Sequence, residues 1–170
     1  MEEQKISGAA EGGFKNEESV SFSSVGATGM SALICEADHA LRDIIAKNLK
    51  DLRYSATFPK TAKEAMDAMN FHVFDIVVLD ELFGTENSGN NDLLTYLSNQ
   101  NMAMRRRFFV VLVGKNFKTM DNMAAFNKSV NMVINTEEVD HIGEVIKRGV
   151  DDHGAFYHVF FETLHKVGKI

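Results

Sequence analysis

The sequence predicts an α/β domain: a doubly wound, five-stranded parallel sheet with helices on both faces, followed by an extended C-terminal helix. Three observations predict it. Five short apolar runs recur along the chain, amphipathic stretches separate them, and the third run is apolar without alternation between two carboxylates, Asp75 and Asp80. A run of that kind reads as a strand buried on both faces. Such strands spaced by helices specify a parallel sheet, and right-handed crossovers leave the doubly wound arrangement as the commonest solution.

Residues 1–29 are rich in Gly, Ser, Glu and Ala with no apolar period, and read as a disordered tail or an interdomain linker. The first strand is Ala32 to Cys35. Asp38 then caps a helix whose apolar face is Leu41, Ile44, Ile45 and Leu49. A short strand from Tyr54 to Phe58 is broken by Pro59, and Thr61 to Glu64 reads as a capping box for a helix presenting Ala65, Met66 and Met69. After the Asp75–Asp80 strand comes a Gly/Asn loop to Asn91, where a helix with Leu93, Leu94 and Leu97 begins. Phe108 to Val113 is the fourth strand. Its following helix is expected from near Thr119, carrying Met120, Met123 and Ala124, with Phe126 nearby. Asn131 to Ile134 is the fifth strand.

The final segment, Glu138 to Lys166, is longer than one crossover needs, since a continuous helix of that length would exceed about 40 Å. Ile142, Val145, Ile146 and Val150 form one apolar face. Phe156, Tyr157, Val159, Phe160, Phe161, Leu164 and Val167 form a bulkier one, and Gly149 and Gly154 between them predict a kink or break. Either the second half folds back to complete the core, or it binds a partner or forms a homodimer through the C-terminal helix; Phe156, Phe160, Phe161 and Leu164 are then the candidate interface. The expected organisation is a tail over 1–29, an α/β domain over 30–150 and a helical extension over 151–170.

Composition removes several function classes. A net charge of −6 argues against direct nucleic-acid binding, and the run Arg105-Arg106-Arg107 reads as a solvated strand entrance. The single Cys35 excludes an internal disulfide and reads as a small buried hydrophobe. The six scattered histidines offer no zinc spacing: His39 reads as a solvated first-turn residue, and His141, His153, His158 and His165 as surface positions. The start lacks signal-peptide character and no apolar run is long enough for a bilayer, so the expected location is the cytoplasm.

Two strands ending in carboxylates, Glu36 and Asp38 after the first and Asp80 after the third, predict an acidic pocket at one sheet edge. With that pocket in place, residues 31–150 resemble the receiver domain of bacterial response regulators. Ile34-Cys35-Glu36-Ala37-Asp38 resembles the family's acidic first-strand signature and Asp75–Asp80 its phospho-acceptor strand. Leu112-Val113-Gly114 and Met132-Val133-Ile134-Asn135 resemble its fourth and fifth strand ends. The resemblance implies that Asp80 stands at the phospho-acceptor position and that Mg²⁺ would rest on Glu36, Asp80 and the carbonyl of Leu82. It also implies that the site is degenerate. Ala37 replaces the direct metal-binding carboxylate and Gly114 the phosphate-binding hydroxyl residue. Asn135 replaces the pairing lysine, Thr136 the proline after it, and Met132 the aromatic switch residue. Lys115 is a candidate replacement cation, read here as a solvated loop lysine.

The resemblance therefore implies a non-enzymatic pseudo-receiver in two-component signalling that binds other proteins independently of phosphorylation, with no cofactor required and at most weak Mg²⁺. The competing expectations are a working receiver phosphorylated on Asp80 with Mg²⁺, and a flavodoxin-like small-molecule binder. Against the last, Glu36-Ala37-Asp38-His39 is acidic where a phosphate loop would be glycine-rich.

Overall fold

The computed structural model describes residues 29–86 and 90–168, so the expected tail over 1–29 lies outside the described residues except for Gly29. Five parallel strands, β1 (Ser31–Cys35), β2 (Ser55–Thr57), β3 (Ile76–Asp80), β4 (Phe109–Gly114) and β5 (Met132–Asn135), lie in the order β2-β1-β3-β4-β5. This is the doubly wound sheet that the sequence predicts. The helices are α1 (His39–Asp51), α2 (Ala62–Phe71), α3 (Asp92–Ser98), α4 (Met102–Arg105), α5 (Asn122–Asn127) and α6 (Ile142–Lys166), with a 3-10 turn over Thr136–His141.

The two-residue period of the strands sorts their side chains into two cores. Leu33, Val77, Leu79, Val110, Leu112 and Val133 meet Ala65, Leu93, Leu97 and Ala125 on one face. On the other, Ile34, Ile76, Val78, Val111 and Ile134 meet Ile45 and Leu49 of α1 and Ile142 and Ile146 of α6. Each fully buried aliphatic side chain contributes about 1.5–3 kcal/mol. Only β2, at the edge, is short and half polar.

Side-chain caps hold the helices in phase. Asp38 accepts from the N–H groups of Ala40 and Leu41, and Asn91 from that of Leu94. Thr61 accepts from Glu64 N–H, but the Glu64 carboxylate reaches back to Lys60 N–H, one residue before the expected capping-box partner.

Two expectations need correction, one further helix is present, and of two open alternatives one falls away. Helix α4 breaks the approach to β4 where none was foreseen. The helix before β5 starts at Asn122 because Asp121 caps it, and this phase buries Ala125 while leaving Met123 67% and Phe126 76% exposed. The last helix runs unbroken for 25 residues, and Gly149 is a point of close approach: a Cβ there would run into Met132 Cε and lie 2.9 Å from Phe109 Cζ. Nor does the second half fold back on the sheet, for beyond Val150 every residue to Gly168 is exposed or only half-buried.

Candidate functional site

The sheet order reverses between β1 and β3, and Cys35 pairs with Leu79 in register, so both strands deliver their next residues to one corner at the carboxyl edge. Glu36 is the buried member, 6% exposed. Its Oε1 accepts the Asp38 N–H at 2.8 Å, while Oε2 is buried without a hydrogen-bond partner among the described residues. Burial pushes the Glu36 carboxyl up to about 7; the Asp38 N–H opposes this, and the charges of Asp80 and Asp38 add to it. Asp80 is half-buried and accepts the Leu82 N–H at 2.8 Å. Its carboxyl too is raised by burial, with that N–H and the charge of exposed Lys115 pulling the other way.

The implied Mg²⁺ does not fit these residues. Ala37 carries no donor atom, and the Asp38 carboxylate is turned to the start of α1. One oxygen each of Glu36 and Asp80 is taken by a backbone N–H, and the Leu82 carbonyl accepts from Thr85 N–H at 3.1 Å. Among the described residues no group of three or more His, Cys, Asp or Glu side chains is placed to hold a metal ion. An octahedral ion needs several unspent oxygens converging on one point. An open cleft of about 420 Å³ beside the corner is lined by Glu36, Ala37, His39, Arg42, Phe58, Lys60 and Phe83, and Asp80 is not part of its wall.

The other positions carry out structural work. A Cβ on Gly114 would lie 2.5 Å from Glu81 Oε1 and 2.7 Å from Phe117 Cε2, so the buried Glu81 carboxyl fills the space over this glycine. Asn135 donates to the carbonyls of Lys115 and Phe117 at 3.2 and 2.8 Å and accepts the Glu137 N–H at 2.8 Å, tying the loop after β4 to the end of β5. Met132 is buried in the core on the α6 side, under Gly149. Cys35 is buried, and its burial pushes the thiol pKa far up.

A second constellation lies at the opposite edge, where the strands begin. Arg105 and Arg106 are half-buried, which corrects the reading of a solvated strand entrance; only Arg107 is exposed. The Arg105 guanidinium lies 5.2 Å over the Phe108 ring and donates to Ser129 O and Asn131 Oδ1. Arg106 lies 4.4 Å over Phe160 and 6.0 Å from Tyr157, joining the loop before β4 to the outer half of α6. His153, expected at the surface, is half-buried with its ring edge-on to Phe109 at 5.5 Å. Burial lowers its pKa and the Arg105 charge lowers it further. Of the four candidate interface residues, Phe156 is 79% exposed while Phe160, Phe161 and Leu164 are half-buried.

Sequence reasoning missed Glu81 and Arg106. Glu81 follows Asp80 directly, and a side-chain-free residue opposite it, Gly114, was the available signal. Arg106 had only the aromatic pair Tyr157 and Phe160, three apart on one helix face.

Comparison of the sequence with family models and with curated proteins finds no match. Solved structures do match. A CheY-like response regulator receiver domain protein from Methanospirillum hungatei superposes with a TM-score of 0.58 at 16% identity, over 75% of this chain and 98% of that one. The receiver domain of the Francisella response regulator 1452 gives 0.57 at 15% identity, over 72% and 98%. NtrX from Brucella abortus gives 0.62 at 18% identity, over 83% of this chain and 30% of NtrX. At these identities the likeness is one of architecture: five parallel strands, the acidic corner at the β1–β3 reversal and the superposition together give this chain the fold of response regulator receiver domains.

Proposed function

We propose that this chain is a receiver-like signalling module of the two-component class that acts in the cytoplasm by binding other proteins, with no phosphoryl transfer and no catalysis of its own. The observation that carries this reading is the Glu81 carboxyl packed over Gly114. A phosphoryl group on Asp80 would bring roughly −1.5 to −2 charges beside Glu36, on which the Asp80 charge already acts. Phosphoryl transfer rests on positioning and charge neutralisation, and the cation whose charge acts on Asp80 is the exposed Lys115. Asn135 has its side-chain amide committed to loop carbonyls, so it offers no contact that would differ between two states. The outer half of α6 supplies the binding surface.

Incubation with acetyl phosphate and MgCl₂, read by intact mass, tests this. No adduct is the expected result. An adduct that disappears in Asp80→Asn overturns the reading and establishes the alternative of a working acceptor, which the half-buried Asp80 with Lys115 in its field otherwise favours.

A further inference from the structure

We infer that the partner of the outer half of α6 is a second copy of this chain, the two helices running antiparallel about Val159. The inference rests on reading this helix as the binding surface and adds what binds there. At about 100° per residue, the apolar arc from Val159 round to Phe161 spans roughly 200°, twice the stripe that one supporting surface requires. Half of that arc is used. Tyr157 and Phe160 face the base of the domain, where Arg106 stacks on them.

The other half is an exposed stripe with 4-3-4-3 spacing: Asp152, Phe156, Val159, Thr163 and Lys166. Phe156 and Val159, 79% and 70% exposed, form its centre. Its ends carry opposite charges, and Asp152 and Lys166 are each seven residues from Val159; within one copy Lys166 pairs with Glu162 at 2.8 Å, an exposed contact that Asp152 of the second copy would share. A two-fold axis at Val159 therefore sets Asp152 of one helix beside Lys166 of the other, twice, and packs Phe156 and Val159 of both copies between the pairs. Parallel pairing would instead set Asp152 against Asp152 and Lys166 against Lys166. The spacing is that of a short coiled-coil seam, which is self-complementary. With the flanks of Phe160 and Val167 the stripe offers on the order of 500 Å² per copy. The total of about 1,000 Å² is the lower bound for a specific interface, so the dimer is expected to be weak and concentration-dependent.

Sedimentation equilibrium of the full chain over tens to hundreds of micromolar tests it. The expected mass rises with concentration from 19.0 kDa toward twice that value. Phe156→Asp is expected to raise the dissociation constant more than tenfold, and Asp152→Lys about threefold to tenfold. The double exchange Asp152→Lys with Lys166→Asp restores pairing, because only the antiparallel arrangement keeps opposite charges together in it. All these positions are exposed, and far-UV circular dichroism confirms that each variant is folded. A mass fixed at 19.0 kDa at every concentration overturns the proposal, as does a dimer indifferent to Phe156→Asp. A dimer that Asp152→Lys leaves intact, or that the double exchange fails to restore, overturns the antiparallel pairing. The phosphoryl-adduct experiment fails independently of these, so loss of the signalling reading and loss of the dimer are told apart.

Discussion

The two edges of the sheet have been treated in opposite ways. At the carboxyl edge, donors and acceptors are spent on the local backbone: Asp38 on the start of α1, Asp80 on Leu82, Asn135 on the loop after β4. At the amino edge, arginines and aromatic rings are stacked on one another and on a helix that continues past the domain. The first edge spends most of its polar groups on its own loops, Glu36 Oε2 being the exception. The second leaves apolar area facing water. That difference is what the proposed binding role rests on.

The sharpest way to break this comparison lies within α6, whose inner half belongs to the core and whose outer half does not. Ile146→Ala is expected to cost about 3 kcal/mol in urea unfolding, the usual loss for a fully buried isoleucine, whereas Val159→Ala in dilute protein stays within about 0.5 kcal/mol. Similar costs at the two sites would mean that the outer half is also core.

At the carboxyl edge the test is pH. The folded-state pKa of Glu36, about 7, lies above its ordinary 4.5, so the native state binds more protons than the unfolded chain between those values. Stability from this group is complete below about 4.5 and is lost as pH rises through about 7. Glu36→Gln is expected to flatten that decline and to be the more stable form at pH 8 by up to about 2 kcal/mol. An unchanged slope would show that Glu36 is not the group responsible.

The smallest effect is expected at the amino edge. Arg106→Ala removes the stacking on Phe160, worth about 1 kcal/mol when partly desolvated. Hydrogen exchange should then quicken in residues 153–164 and leave β1 to β5 unchanged.

The sheet was legible because it rests on short-range pattern: apolar runs, Asp and Thr caps, and turn residues all agreed on five strands. The acidic corner was legible for the same reason, since Glu36 and Asp80 each end a run. Contacts between distant segments left no such trace. Arg106 read as solvated because nothing near it in sequence announces Phe160, more than fifty residues away. Gly149 read as a break because propensity alone cannot separate a weak point in a helix from a place where a neighbour leaves no room for a side chain. The run Met120, Met123, Ala124 and nearby Phe126 gives the helix but not its phase, which the Asp121 cap fixes so that Met123 and Phe126 face outward.

The contact at Gly149 also sets an angle. There α6 rests directly on Met132 and Phe109, with about 27 Å of helix beyond it to Val167. Farther out, Arg106 holds Tyr157 and Phe160, so the helix has two supports and its direction is set between them. Repacking of Met132 and Phe109 beneath the glycine would reach the outer half of α6 only by loosening that second support.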